Sequence, residues 1–561
     1  MTVLPRLSQA DSIRHIELSS RYNEALAIKS GYEVAMNEII DYGAPTIARI
    51  DTKRPEGAIL TNPVFDSTLV RARELLVNFV VGNVAPSSEM GWAGIDPPID
   101  KKNNRRLKIA LNITAERLLE FLAMSNFYEQ MACHVDSMFS IGNAVMGVQE
   151  DSSLVSFRRR FGKLVYDTVP LSQMVWKAES GNRIYFMCRS QEMTLSEIHR
   201  KFKDPGMIVD YKLRQGTRPT DKLEVRHYVY RNETNNPSMF ALKGPPGSER
   251  FPWVEEYVIC DSQEETIIHR GIDLSPYVIS RLIVVGEDSM GRGLGHISRA
   301  PTKAANFIGR LTWLGIDKDI RRPLIVWDRS HLSASRAGAR VVVKPGYDKP
   351  EFMDPGVDIL RSNEIRQQEQ QEILQIWGAD AFLDPESQPR SAEESIQRRQ
   401  RNLQRHARHS QRFAGEFLDP ILNLTISILL KAGELPELES QIDEIGDAEM
   451  TFRYTSPFFR AQMQSQLESA YALLERRAAL TKETGQEGWF DDLDLDFIRE
   501  MERTIGGVPE LAFKSQEAID LVREARGERM AQERELAILE ASARAGRPRA
   551  QLPIQGGVPL G

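Results

Sequence analysis

Residues 276–306 read PYVISRLIVVGEDSMGRGLGHISRAPTKAAN, and their two halves obey different rules. The first half holds 278–285, rich in Val and Ile, which predicts a strand. The last residues open an apolar pattern near the helical period that predicts a helix over 297–320. Between them Gly291, Gly293 and Gly295 form G-x-G-x-G. One chain therefore carries both sheet and helix in separate stretches, and the expected class is α+β.

Upstream, from about 145 to 285, short runs at 164–166, 184–189, 223–231 and 253–260 are rich in Val, Ile, Tyr and Phe, and Asn, Gly and Pro clusters separate them. One helix is expected inside this β-rich part near 195–202, where Thr194 and Glu197 have capping-box spacing. The first 150 residues predict helices at 21–40, 66–84, 110–127 and 128–141, with Gly142 and Gly147 closing the region. Downstream, strand-like 323–327 and 340–344 interrupt helical sequence between 297–320 and 359–377. Then comes a Gly-Asp-Pro-rich loop, 378–390, and the longest helix, which starts at the capping box of Ser391 and Glu394 and runs to about 431 with a kink expected at Pro420. Further helices are expected at 461–479, 495–505 and 515–543, before a tail over 546–561 whose composition predicts disorder.

Length and composition set the bounds. At about 150 residues per domain, 561 residues predict three to four domains. Apolar residues are 41% and charged residues 27%, a core-forming composition with a mean hydropathy of -0.38. The longest run without Asp, Glu, Lys or Arg is 75–88, short of the about 18 residues that a membrane helix needs, so no span is expected. The N-terminus shows no apolar signal segment. Cys133, Cys188 and Cys260 lack CxxC spacing, which argues against a disulfide scaffold or a Cys-rich zinc site and fits a reducing compartment.

The search for chemistry returns little. There is no GxxxxGK[ST], GxSxG or HExxH pattern and no nucleophilic Cys-His pair, so no catalytic residue, cofactor or metal is expected. His406 and His409 are three apart, but Arg405, Arg408 and Arg412 around them would repel a cation. Asp491, Asp492, Asp494 and Asp496 lack the spacing of a calcium loop and suit a helix N-terminus instead.

Charge is the more informative signal. The net charge of -7 is mild, but it is unevenly placed. Segment 321–349 has Arg321, Arg322, Arg329, Arg336, Arg340, Lys344 and Lys349 against Asp328 and Asp348; 390–412 has seven arginines and two glutamates; 434–449 has seven acids and no base. At about 100° per residue, Arg398, Arg401, Arg405, Arg408 and Arg412 fall within about 80° on one helical face. Such a stripe needs counter-charge from water, a neighbouring subunit's carboxylates or nucleic acid.

The order of segments resembles one known family. Asp66-Ser67-Thr68 opens a helix that ends in GNVAPSSEMGW (82–92); SNFYEQMACHVDSMFSIGNAVMGVQED (125–151) follows; 276–306 comes next, with Met290 where the family pattern has Tyr; PRSAEESIQRR (389–399) starts the long helix; and LDLDFIREMERTIGGVPELAFKSQEAIDLVREARGERMAQ (493–532) closes the series. These blocks are similar to head-to-tail connector (portal) proteins of short-tailed, T7-like phages. The resemblance implies a homododecameric ring at one capsid vertex, assembled in the host cytoplasm and retained in the virion. Double-stranded DNA would pass through it. The terminase large subunit, tail adaptors, capsid and scaffold proteins would be its partners, with no membrane involved.

Mapped onto this chain, the resemblance implies a portal fold with a helical wing, stem and crown and a β-rich wing subdomain. The wing would be 1–295, the stem helices 296–320 and 359–377, and the clip 321–358, with Arg336, Arg340, Lys344 and Lys349 facing motor and tail. A tunnel loop, 378–390, would bring Asp380, Asp384, Glu386 and Arg390 to the DNA. The long helix would be 391–432 and the crown or barrel 433–545. Two other readings stay open on the residues alone. One is a nucleotide-binding enzyme using the Gly291-Gly293-Gly295 turn, and the other a monomeric helical adaptor or scaffold that binds DNA through the arginine stripe.

Overall fold

The computed structural model describes residues 9–484, apart from 46, 48, 51–63, 88–90, 99–100, 102–103, 152–162, 235, 237, 239–240, 262–263, 321–323, 326–350, 353–358, 381–407 and 442–449, together with residue 529. The chain forms two compact units, 1–462 and 463–561. The first holds every described strand and the described helices as far as Pro436–Glu439. In the second, the described residues are the end of helix Pro457–Thr484 and residue 529.

The N-terminal region is helical, as its periodicity predicts: α1 (Gln9–Gly43), α2 (Thr68–Val84), α3 (Arg105–Met124) and α4 (Phe127–Ile141). Local chemistry sets their ends. Asn104 caps α3 by accepting from the amides of Arg106 and Leu107. Gly142 ends α4 with φ 84°, a left-handed geometry that favours glycine. A short strand, β1 (Ala93–Asp96), stands between α2 and α3 and was not expected.

Two antiparallel sheets follow. Strands β2 (Asn143–Asp151), β3 (Lys163–Thr168) and β9 (Tyr277–Arg281) form a three-stranded sheet in the order β3-β2-β9. Strands β4 (Met174–Glu179), β5 (Arg183–Thr194), β6 (Lys222–Arg231), β7 (Trp253–Cys260) and β8 (Glu264–Ile272) form a meander in sequence order. Helices α5 (Leu195–Lys201) and α6 (Met207–Arg214) lie between β5 and β6. The Thr194–Glu197 capping box forms as expected: Thr194 Oγ1 accepts from the Glu197 amide at 3.2 Å, and Glu197 Oε2 accepts from the Thr194 amide at 2.8 Å. The strand expected over 278–285 stops at Arg281, because Ile283 already turns to bridge Arg292.

Consecutive residues Glu255 and Glu256 on β7 point to opposite faces of the sheet, and both are buried. Burial pushes each carboxyl up, yet their partners win and hold both at about 2. Glu255 faces His227 and Arg270; Glu256 accepts from Tyr230 at 3.1 Å and Thr266 at 2.8 Å and pairs with Arg14 of α1. The start of α1 is thus fastened to the sheet by charge, while its later turns, with Met36, Ile39 and Ile40, join an apolar cluster with Trp176, Val229 and Tyr277.

After β9 come a short turn of helix, α7 (Leu294–Ile297), then α8 (Arg299–Ile320) and α9 (Ile359–Ile376), which pack along each other. A ribbon of β10 (Leu324–Ile325) and β11 (Glu351–Phe352) joins them; the strand-like 340–344 lies outside the described residues. The long helix is described as α10, Arg408–Lys431. It does not simply kink at Pro420. It opens into a π-helical turn at Ala414–Leu418, in which the Asp419 amide reaches Ala414 O, before continuing over Asp419–Lys431.

Helix α10 bears on the expectation that no segment spans a membrane. Its 24 residues are apolar enough to cross a bilayer, with a mean hydropathy of 1.4 over an 18-residue window, although Glu416 and Asp419 interrupt any charge-free run. It is nevertheless a core helix. Phe413, Phe417, Leu418, Ile421, Leu422, Ile426 and Leu429 are buried with residues of α2, α3 and α4 in the main core cluster. Tyr166 OH donates to Thr425 Oγ1 at 2.9 Å, since Thr425 spends its own proton on Ile421 O. After α10 the chain makes α11 (Pro436–Glu439), then β12 (Thr451–Tyr454), which pairs with β1, and α12 (Pro457–Thr484).

Candidate functional site

Helix α8 is built the wrong way round for a helix of a solitary chain. Its inward residues are small or polar: Thr302, Ala305, Asn306, Gly309, Thr312 and Gly315 are buried. Its large apolar residues are the exposed ones, with Phe307 62%, Trp313 63% and Ile320 76% exposed, and Leu311, Leu314 and Ile316 exposed as well. The exposed set has two sides. Phe307, Leu311 and Leu314 fall within about 60° of one another, and Trp313, Ile316 and Ile320 form a second group about 150° around the axis, where they continue the side of Thr302, Asn306 and Gly309 toward the end of the helix.

The small inward residues let the backbone beside α8 come close. A Cβ at Gly309 would lie 3.2 Å from Phe65 Cβ and 3.3 Å from Phe65 O. Asn306 Oδ1 accepts from the amides of Phe65 and Asp66. Asp66, the first residue of the Asp66-Ser67-Thr68 block, accepts from the Thr68 amide at 2.9 Å and from Arg366 and Gln370 of α9 at 3.0 and 2.6 Å. Burial pushes its carboxyl up, but these hydrogen bonds outweigh it and hold it below the usual range. One aspartate thus starts α2 and ties it to α9. The outer residues of α9, among them Glu364, Gln367, Gln368, Gln371, Glu372 and Gln375, are exposed amides and carboxylates.

Where α4, β9 and α10 meet, polar groups are buried in series. Ser280 Oγ donates to Glu416 O at 3.0 Å, so it receives the proton of His134 Nε2 at 2.9 Å. His134 is therefore the Nε2–H tautomer, stacked on Phe417 at 4.0 Å, and burial lowers its pKa to about 3. The Glu416 carboxylate accepts from the Arg281 amide at 3.2 Å and pairs with the Arg281 and Arg412 guanidinium groups.

The three glycines of 291–295 hold protein rather than ligand. A Cβ on Gly291 would meet Gly142 O at 2.6 Å; on Gly293, Ser140 O and Gly142 N at 2.5 Å; on Gly295, Ser140 O at 2.5 Å. Asn143 joins the two strips through its side chain, donating to Gly291 O at 2.8 Å and accepting from the Gly291 amide at 2.7 Å. The close approach that a phosphate would use is taken by the end of α4, which corrects the nucleotide reading.

Of the expected site residues, the structure describes Asp380, Arg408 and Arg412. Asp384, Glu386, Arg390, Arg398, Arg401, Arg405, Arg336, Arg340, Lys344 and Lys349 lie outside the described residues, as do His406 and the aspartates of 491–496. Arg408 is exposed, whereas Arg412 is half-buried and turned inward, donating to Arg281 O at 3.2 Å and pairing with Glu416. His409 packs edge-on against Phe139, and burial and Arg408 lower its pKa. Among the described residues no three His, Cys, Asp or Glu side chains are placed to share a metal ion. Sequence reasoning missed the exposed large residues of α8, which stand in 307–320 but whose cover the sequence does not give. It also missed Ser280, which carries no local signal.

No curated protein matches the chain. Among solved structures, the chain is similar to a protein of the virion of a native gene transfer agent particle, at 11% identity and a TM-score of 0.32, covering 79% of this chain and 90% of that one. It is also similar to one in the neck of an empty gene transfer agent particle, at 12% identity and a TM-score of 0.31, with the same coverage. The family assignment rests on a different finding. The family model for bacteriophage head to tail connecting proteins matches residues 16–511. The protein belongs to that family, and is a portal protein that acts at the junction of phage head and tail.

Proposed function

We propose that copies of this chain close a ring around a DNA channel, with α8 as the contact between neighbours. The observation that carries this reading is the pair of exposed apolar groups on different sides of α8. A two-fold dimer uses one self-complementary patch, whereas a head-to-tail ring needs two different patches on every subunit. The group at Phe307, Leu311 and Leu314 of one copy would meet the group at Trp313, Ile316 and Ile320 of the next. Full burial of a large apolar side chain is worth at most about 1.5–3 kcal/mol, and these six are between 38% and 76% exposed, which favours a covered state.

Within that ring, the exposed face of α9, mostly amides and carboxylates beside Arg361, suits the aqueous channel, because it offers DNA hydrogen bonds with few of the Lys and Arg contacts that create affinity. The homododecameric state, passage of double-stranded DNA, docking of the terminase large subunit and tail adaptors on the 321–358 clip, and contacts with capsid and scaffold proteins are parts of the same proposal. So are the tunnel-loop roles of Asp380, Asp384, Glu386 and Arg390. Arg408, exposed on the arginine stripe, would contact a neighbour or DNA, while Arg412 serves the chain itself. Catalysis is left to the motor.

Electron microscopy of the purified protein, scored for rotational symmetry, tests the proposal. Rings with a central hole are expected, and Leu311→Asp with Leu314→Asp should return single subunits. Rings that persist in that double variant would remove α8 from the contact. Single particles from the unaltered chain, with DNA binding that falls steeply with salt, would favour the monomeric adaptor.

A further inference from the structure

We propose that Ser280 is a latch for α10: it takes the hydrogen-bonding place that Pro420 vacates, and so keeps the arginine-bearing end of the helix docked. In an α-helix the amide of residue 420 would serve the carbonyl of Glu416; proline has no amide hydrogen, and its ring crowds that carbonyl. Here the helix widens at Ala414–Leu418, the Asp419 amide goes back to Ala414 O, and the freed Glu416 carbonyl accepts from Ser280 Oγ at 3.0 Å. The partner comes from β9, more than a hundred residues away in sequence, so the turn depends on tertiary structure for what a helix normally supplies itself.

Three further contacts converge on the same turn. His134 Nε2–H holds the Ser280 oxygen at 2.9 Å, which leaves the serine proton free to point at Glu416. The Arg281 amide, next in β9, donates to the Glu416 carboxylate at 3.2 Å. Arg412, one turn back on α10, pairs with that carboxylate and reaches Arg281 O. Against these stands a weak helix: Gly415 is exposed, and a Cβ there would meet nothing within 4 Å, so the position could carry a better helix former and does not. The segment has poor helical stability of its own and is held by a clasp from β9. Its consequence for assembly rests on the reading that Arg408 meets a neighbour or DNA; the clasp itself does not.

Hydrogen exchange followed by mass spectrometry on the full-length chain tests the latch. Ser280→Ala should speed exchange of the amides at 408–419 by about ten-fold, with those of β5 and β6 unchanged. Pro420→Ala supplies the missing amide, so adding Ser280→Ala to it should change exchange by less than about two-fold. Equal effects of Ser280→Ala in the two backgrounds, or none in either, would overturn the proposal. If Ser280→Ala does not fold, Ser280→Cys keeps the volume with a weaker donor; it should give an intermediate rise, and wild-type exchange would sink the idea. Exchange is read on the chain's own amides, assembled or not, and ring symmetry is scored separately, so the latch and the ring can fail independently.

Discussion

Helices α8 and α10 are both rich in large apolar residues, and they place them oppositely. In α10, Phe413, Phe417, Ile421 and Leu429 are fully enclosed by the chain's own α2, α3 and α4. In α8, Phe307, Leu311, Trp313 and Leu314 face water, and the enclosed positions go to Ala, Thr, Asn and Gly. By composition α10 resembles a membrane span and is a core helix, while α8 resembles an ordinary amphipathic helix and is an uncovered one. Composition therefore ranks the two helices wrongly, and only the cover each side chain receives separates apolar surface that builds the fold from apolar surface left open.

The sharpest break of this comparison is Phe417→Ala. Phe417 is fully buried, stacked on His134 at 4.0 Å and packed against Phe413 at 5.1 Å between ring centroids. Removing its ring from a site held on all sides is expected to cost about 3–5 kcal/mol. A thermal melt of the variant, compared with wild type, checks this. A melting temperature within a degree or two of wild type would mean that α10 is not the core helix its burial indicates.

Acid is the next lever, and it acts on α10 through the same contact. His134 has a folded pKa of about 3, below its ordinary value of 6.5, because burial disfavours the imidazolium. The unfolded chain takes up a proton below pH 6.5 and the folded chain does not until about pH 3, so this stability is whole above 6.5 and drains as pH falls. The expected slope is up to about 1.4 kcal/mol per pH unit. Glu255 and Glu256, held at about 2, add to the loss only between about pH 4.5 and 2. Denaturant midpoints at pH 7.5, 6 and 5 should therefore fall in wild type and stay flatter in His134→Phe. Parallel slopes in the two proteins would place the acid sensitivity elsewhere.

How far these contrasts are legible in sequence depends on how local their causes are. The Thr194–Glu197 box, the Gly142 stop and most helices are set within a few residues and are readable. Strand β2 was hidden because Gly142 and Gly147 look like breakers; in the fold Gly147 is a strand position where a Cβ would press on the Tyr277 ring at 3.3 Å. Strand β8 and helix α6 were missed because much of their surface is half-exposed and their apolar pattern is weak, and β4 because its buried run, Met174, Val175 and Trp176, is three residues long and does not alternate. At the candidate site, the large residues of α8 stand in the sequence, but which of them meet water depends on where its neighbours cover the helix. The meeting of Ser280 with Glu416, and of Gly142 with Gly293, joins residues over a hundred positions apart, and no period announces it.

A smaller effect, of opposite sign, is expected at Gly415. The position is helical, exposed and open, so Gly415→Ala should stabilise by up to about 1 kcal/mol. A denaturant titration measures it, and a loss of stability would show that the π-helical turn needs glycine's freedom.

A similarly small effect on the fold is expected where the largest effect on assembly lies. Leu311→Asp and Leu314→Asp place charge where about half of each side chain already meets water, so each should shift the subunit's own stability by no more than about 1 kcal/mol. The same charges buried between two copies would lack partners and cost several kcal/mol, enough to prevent closure. The pairing with Phe417→Ala is the point of the test: one apolar helix should report in the melt and the other in particle size. Light scattering beside a thermal melt separates them. If the α8 variants melt early, their side chains are serving the chain's own core after all; if they melt normally and still assemble, the outward face of α8 is covered by nothing in the ring.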